Sequence, residues 1–391
     1  MSTTTNTSPT TNHVTYFNET HDQVRQSVRK FVAEHITPHI NDWEEAGSFP
    51  RELYHLAGDA GLLGLGYAES YGGVGEGDVF MKVAASEELM RSGSGGLVAS
   101  LGSIDIALPP IAKWGSEELK QRIMPEVISG RKIAALAITE PSGGSDVAGL
   151  KTRAVSDGDF YRVSGSKTFI TSGTRADYYT VAVRTGADGY SGLSLLLIEK
   201  DMPGFSVGQP LKKMGWWASD TAELFFDDVK VPKSNLIGAE NMGFFAIMTN
   251  FQMERLNLAT MANMTAQLAL DECLRYVHER TAFGKPLAKM QIIRHKIAEM
   301  ATQVEISREY NYRIAARIQA GIPSVTEVSM AKNFATKTSD FVTYEATQIF
   351  GGMGFMRESL VERLYRDNRI LSIGGGTHEI MNEVIAKQLG L

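Results

Sequence analysis

The sequence predicts an α+β protein with three parts in series: an N-terminal helical domain, a middle antiparallel β-barrel-like domain and a C-terminal four-helix-bundle domain. Three observations predict it. Apolar residues recur at helical spacing from Asn18 to about Gly130. From about Ile133 to Pro232 the chain is β-rich, with no helical stretch between the strands, which excludes a doubly wound sheet. From Met242 onward the periodicity is helical again, in elements long enough to pack as a bundle. The expected boundaries are a disordered tail at 1–17, a helical domain at 18–132, a β domain at 133–241 and a bundle at 242–391.

In the first part, Val24, Val28, Phe31 and Val32 share one helical face, Pro38 interrupts, and Arg51–Leu63 and Val79–Arg91 follow with similar faces. Ser116-Glu117-Glu118 is a helix start, a capping hydroxyl followed by acids in the first turn, and Gly130 closes that helix. In the second part, Ala134–Thr139 reads as a buried strand ended by Pro141, Gly143 and Gly144. Ser166–Ile170 with Tyr161 and Val163, then Tyr179–Val183, Leu193–Ile198 and Glu223–Val231, are strands bounded by Gly, Asp and Pro. In the third part, helices run from about Phe244 to Thr281, Ala288 to Ala320, Val325 to Phe350 and Thr377 to Leu389, with Gly321-Ile322-Pro323 as a break.

Composition narrows the function. The 391 residues carry a net charge of −6, which leaves no nucleic-acid footprint. The single cysteine, Cys273, allows no intrachain disulfide. Met1–His13 has no Lys or Arg and no apolar core, unlike a secretory signal or transit peptide, so a cytoplasmic location is expected. No run of about 18 apolar residues suggests a membrane span. No His, Cys and Asp cluster has metal-ligand spacing, so no metal is expected.

The candidate ligand site is the stretch 137–173. Its glycines let backbone approach a ligand, and Thr139, Ser142, Ser145 and Thr171 add hydroxyls, a lining suited to a polar-edged heterocycle or a phosphate. An ordinary polar turn between strands remains open on composition alone.

Three blocks carry a resemblance. The first is Ala137-Ile138-Thr139-Glu140-Pro141-Ser142-Gly143-Gly144-Ser145-Asp146-Val147-Ala148-Gly149. The second is Arg280-Thr281-Ala282-Phe283-Gly284-Lys285-Pro286-Leu287 with Gln291, and the third is Gln348-Ile349-Phe350-Gly351-Gly352-Met353-Gly354-Phe355 with Arg363–Asp367 and the later Gly-Gly-Thr run. Together, and in this order, they resemble the acyl-CoA dehydrogenase family of flavoproteins over nearly the whole chain.

The resemblance implies that fold and non-covalent FAD. It implies flavin contacts at Leu136, Ile138, Thr139, Gly144, Ser145, Phe169, Ile170 and Thr171, with Phe169 standing where many relatives have Trp. It implies that Arg280, Phe283, Gln291, Gln348, Gly351 and Gly352 reach the FAD of a neighbouring subunit, hence a homotetramer, and that Thr377 and Glu379 meet a cofactor edge. Arginine suits a pyrophosphate because its fork binds phosphate bidentately.

The implied reaction is α,β-dehydrogenation of an acyl-CoA to the trans-2-enoyl-CoA, with electrons passed to an electron-transfer flavoprotein. Many relatives carry the base as Glu just before the last helix, where this chain has Gly375. The isovaleryl-CoA and long-chain branches place it in a Glu-Arg-Leu run, matched here by Glu254-Arg255-Leu256. Glu254 is therefore the expected base, and Gly375 the expected backbone donor to the thioester oxygen. Ser145, Phe251, Gln252, Arg255, Gly375 and Gly376 are the expected substrate contacts. The acyl chain is expected to be medium-to-long or branched. A flavin oxidase or monooxygenase, and a silent flavin- or acyl-CoA-binding protein, stay open as alternatives.

Overall fold

Local signals set the helices of the N-terminal part. The computed structural model describes residues 16–75 and 77–391. Asn18 and His21 form a reciprocal cap on the helix Glu19–Phe31. Asp78 caps Val79–Met90, and Ser116 caps Glu117–Ile128 through a bond from Leu119 N–H at 3.2 Å. The helix expected over Arg51–Leu63 is shorter, Glu52–Asp59, because Gly61 takes a left-handed φ of +74° and the chain re-enters as a single 3-10 turn at Leu62–Gly64. Gly130 does close its helix: at φ +72°, its hypothetical Cβ would lie 2.0 Å from Tyr54 O, so no side chain fits there.

Most of the expected tail, 1–15, lies outside the described residues. Its last two residues, Tyr16 and Phe17, correct the expectation of disorder to 17: both rings pack on Phe80 and Tyr312.

The middle part has strands β1 (Ala134–Ala137), β2 (Arg153–Asp157), β3 (Phe160–Thr171), β4 (Tyr178–Arg184), β5 (Leu193–Glu199), β6 (Phe205–Val207), β7 (Thr221–Pro232) and β8 (Leu236–Ile237). Their order is β6-β7-β3-β2-β4-β5-β8, with β1 also on β4. Most pairs are antiparallel, but β1–β4 and β2–β4 are parallel, so the sheet is mixed rather than purely antiparallel. The intervening loop and β3 supply the long return path that a parallel pair requires. β1 ends at Ala137, two residues early, as the chain turns into the glycine loop.

The C-terminal bundle is built from Gly243–Glu279, Gln291–Gln319, Val325–Phe350 and His378–Gln388. Cys273 is buried in its core. One continuous core joins the N-terminal helices and the sheet to Ala246 and Ile247, at the start of the long helix. Smaller cores lie within the bundle and at its junctions. That long helix therefore begins against the first two parts and ends at the far side of the third. Among the described residues, no single helix is long and apolar enough to cross a membrane.

Candidate functional site

The residues expected to serve the site fall into three sets. The first gathers on the long helix and the loop before the last helix. Glu254 keeps partial exposure as a residue, yet its Oε2 is enclosed and has no hydrogen-bond partner among the described residues. A Cβ on Gly375 would clash with Leu258 Cδ1 at 2.5 Å and would lie in ordinary contact with Glu254 Oε1 at 3.6 Å, so the loop backbone runs directly beside the carboxylate. Gly375 and Gly376 hold φ of +63° and +100°, which favours glycine at both. Two cations fix this loop from below: Arg255 Nε donates to Gly375 O at 3.3 Å, and Lys332 Nζ donates to Gly376 O. The Arg255 guanidinium lies 5.8 Å from the centre of the Phe251 ring, and Gln252 is half-buried beside it in sequence.

Burial pushes the Glu254 carboxyl up from the ordinary 4.5 to about 7, while the charges of Arg255 and Lys332 pull the other way. Burial likewise lowers Lys332 to about 8, opposed by Glu254. An enclosed carboxylate with an unpaired oxygen and a pKa near neutrality has the properties of a general base. Thr377 caps the last helix by accepting from Ile380 N–H at 3.3 Å, and Glu379 is exposed in its first turn. His378 is half-buried, with Nε2 2.7 Å from Thr336 Oγ1, so it is engaged with the bundle.

The second set surrounds the glycine loop after β1. Glu140 N–H donates to Gly143 O and Gly143 N–H to Glu140 O, closing a tight turn. Glu140 is itself buried, accepting from Lys151 N–H at 2.7 Å, Thr152 N–H at 2.9 Å and Lys167 Nζ at 2.9 Å. Lys167 also donates to Ile138 O at 2.9 Å, and Thr168 N–H to Thr139 O at 2.9 Å. Ile138, Thr139, Gly144 and Ser145 therefore sit on a turn bolted to β3, with Leu136 just before it on β1. Between Lys167 and Ile170, β3 breaks register with β7. The break puts Phe169 at φ +59° and leaves the residue 68% exposed, with Ile170 buried and Thr171 half-buried beyond it. A bulge that holds a large aromatic ring in a strained, exposed conformation is a feature expected at a ligand site.

The third set stands apart. Arg280, Phe283, Gln291, Gln348, Gly351 and Gly352 are all exposed. Tyr276 stacks on Phe350 with ring centres 4.0 Å apart, which brings the ends of two long helices to one end of the bundle. Along the helix, Arg280 is roughly 40 Å from Glu254, at 1.5 Å per residue. These residues do not converge with Glu254 within one chain.

Lys332 and the Glu140–Lys167 pair were not singled out from sequence. Lys332 had a readable signal: it is a lone charge among Val328, Ala331, Ala335 and Thr336, residues whose spacing marks a buried face. The Glu140–Lys167 pair had none, because only the pairing of distant strands joins it. Trp216 and Trp217, which no motif explains, are interface residues. Trp217 lies between the Arg357 and Arg366 guanidinium groups, 4.1 and 3.6 Å from its ring centre. Among the described residues, no group of three His, Cys, Asp or Glu could hold a metal ion.

Comparison with known proteins matches the three-part fold. Family models described as the N-terminal, middle and C-terminal domains of acyl-CoA dehydrogenase match residues 18–131, 135–229 and 241–390. The mitochondrial long-chain specific acyl-CoA dehydrogenase of Sus scrofa is 41% identical over 376 residues, covering 95% of this chain and 87% of that protein. A probable acyl-CoA dehydrogenase from Mycobacterium abscessus superposes with a TM-score of 0.94 at 51% identity, over 96% of this chain and 100% of that one. An acyl-CoA dehydrogenase from Bacillus anthracis, solved in complex with FAD, superposes with a TM-score of 0.89 at 30% identity, over 95% and 68% of the two chains. On the matching of all three domains and on this identity over nearly its full length, the chain belongs to the acyl-CoA dehydrogenase family.

Proposed function

We propose that the protein dehydrogenates a medium-to-long or branched acyl-CoA at the α,β bond, with Glu254 as the base that takes the α-proton. The observation that carries this reading is the enclosed, unpartnered Glu254 Oε2 next to Gly375. The α-proton of a thioester is weakly acidic, so the base must sit in a poorly solvated site and the developing enolate must be stabilised. Glu254 meets the first need through its burial. Gly375 meets the second if its N–H donates to the thioester oxygen; Arg255 and Lys332 hold the carbonyls of Gly375 and Gly376 and so fix the loop that carries it. Phe251, Gln252, Gly376 and Ser145 complete the substrate contacts in this reading.

The glycine loop and the Phe169 bulge fit FAD: the loop is exposed and glycine-rich, and the bulge offers a flat apolar face. Leu136, Ile138, Thr139, Gly144, Ser145, Phe169, Ile170 and Thr171 would hold it, with Thr377 and Glu379 at an edge. Bound FAD supplies the acceptor for the hydride that leaves the β-carbon. An electron-transfer flavoprotein is the proposed next acceptor. The exposed third set supports a homotetramer in which Arg280, Phe283, Gln291, Gln348, Gly351 and Gly352 serve a neighbouring subunit, and a cytoplasmic location is the simplest setting.

Anaerobic mixing with acyl-CoA tests the reading. The native holoenzyme should lose its flavin absorbance. Glu254→Gln should bleach at least about a hundredfold more slowly while retaining FAD, the lower range for loss of a general base. Normal bleaching by that variant would remove Glu254 from the role.

A further inference from the structure

Glu254 opens on a cavity of about 80 Å³ whose near walls include Val83, Leu89 and Val98. A second cavity, of about 420 Å³, lies beyond it against Tyr67, Pro109 and Trp114. Lys82, Asp105 and Met253 line both, so these three residues stand in the partition. Two of them are charged and bonded to each other, with Lys82 Nζ donating to Asp105 Oδ1 at 2.8 Å. The Lys82 ammonium is 4.8 Å from the centre of the Tyr67 ring. Its stem passes close over Gly66, where a Cβ would lie 2.4 Å from Lys82 Cε and where φ of +79° favours glycine. The side chains keep 26% and 36% of their exposure, so the pair is anchored but not sealed in the core.

We propose that the Lys82–Asp105 ion pair is a charged gate that sets acyl-chain length: acyl groups end in the inner cavity unless the pair parts and admits the tail to the outer one. This rests on the reading of Glu254 as the base, because the inner cavity is then where the acyl group lies. A hydrocarbon tail pressed against an ion pair strips water from both charges and returns no hydrogen bond. A tail that stops short of the pair avoids that loss. A tail with a terminal carboxylate gains little, because Asp105 already neutralises Lys82 and repels a second anion. The class favoured is therefore an uncharged acyl thioester whose length is limited by polar side chains rather than by an apolar floor.

The test is the kcat/KM of the FAD-loaded enzyme across straight-chain saturated acyl-CoA substrates of increasing length. The native enzyme should decline once the tail outgrows the inner cavity. Lys82→Ala/Asp105→Ala should move that decline to longer chains and raise the long-to-medium ratio by about tenfold, the scale on which a pocket discriminates methylenes. Lys82→Arg, which keeps the pair, should retain the native ranking. Asp105→Asn, which keeps the volume, should shift the ranking in the same direction as the double variant but less, and it serves if the double variant does not fold. An unaltered ranking in whichever of these two variants retains FAD and its melting temperature overturns the gate. Failure of the native enzyme to bleach with any acyl-CoA overturns both the gate and the acyl-CoA reading, whereas native turnover with an unmoved ranking overturns the gate alone.

Discussion

Glu254 and Lys332 show how single residues tune this site. Burial raises the Glu254 carboxyl to about 7, and the Lys332 ammonium limits that rise. Removing the cation should therefore push the carboxyl higher. The ionised, proton-accepting form would then be reached only at higher pH, so the acid limb of the bleaching rate should move in the alkaline direction. Lys332→Met tests this against native enzyme in a pH series of acyl-CoA bleaching. An unmoved limb, or one displaced toward acid, would mean that Lys332 does not act on Glu254. The variant also loses the bond to Gly376 O, so a fall in rate alone is uninformative and the position of the limb is what decides. Glu254 was open to proposal from the sequence because its run of neighbours matches a family block and Gly375 stands at the other place for a base. Lys332 was less so: its partner carbonyl is 44 residues away in sequence, and nothing local brings them together.

The glycine loop works as an element because a buried ion pair ties it to β3. The sequence Ala137–Asp146 discloses a turn, and its glycines disclose a close approach. The anchoring of that turn is a tertiary fact: Lys167 crosses from β3 to reach Ile138 O and Glu140 together. Burial lowers Lys167 to about 8, and Glu140 draws it back up. Such a pair contributes little relative to an apolar replacement, but losing one partner strands the other charge. Lys167→Met should therefore destabilise the protein by about 3–5 kcal/mol, seen in denaturant unfolding, with a parallel loss of retained FAD. Lys167→Met/Glu140→Leu should recover much of the stability. A single variant as stable as native would show that the pair is not an anchor. The same tertiary logic explains two departures from the sequence reading. The parallel β1–β4 pairing depends on how the intervening segment returns, and the Phe169 bulge depends on register with β7. Neither is written in period-2 alternation.

At the scale of the whole molecule, the three parts are joined by polar contacts as well as by apolar packing. Asp367 accepts from Trp216 N–H at 2.6 Å and from Gly95 N–H at 3.2 Å, so one carboxylate touches all three parts. Arg366 reaches Glu44 at 3.1 Å and stacks on Trp217. These contacts place the tryptophan pair at the junction of the parts. The three-part order was readable because the change from helical to strand periodicity is long and clean. The number of copies, expected to be four, came from the resemblance alone, because one chain's periodicity does not report what covers its surface. The far end of the bundle does bear on it. Phe283 is 95% exposed at φ +53°, Phe355 is 86% exposed and Ile292 is 64% exposed. Large apolar groups displayed together in this way mark an interaction surface, and a second copy of the chain is the proposed occupant. Phe283→Asp would put a charge into such an interface and leave the monomer's core untouched. Sedimentation of the native holoenzyme should give the mass of four chains. The variant should give a smaller species with reduced FAD content, because the cofactor would lose residues supplied by a neighbour. A native particle of one chain would show that this end of the bundle is free surface and that each chain holds its cofactor alone, and a variant that keeps both the native four-chain mass and its FAD would show that Phe283 lies outside the interface.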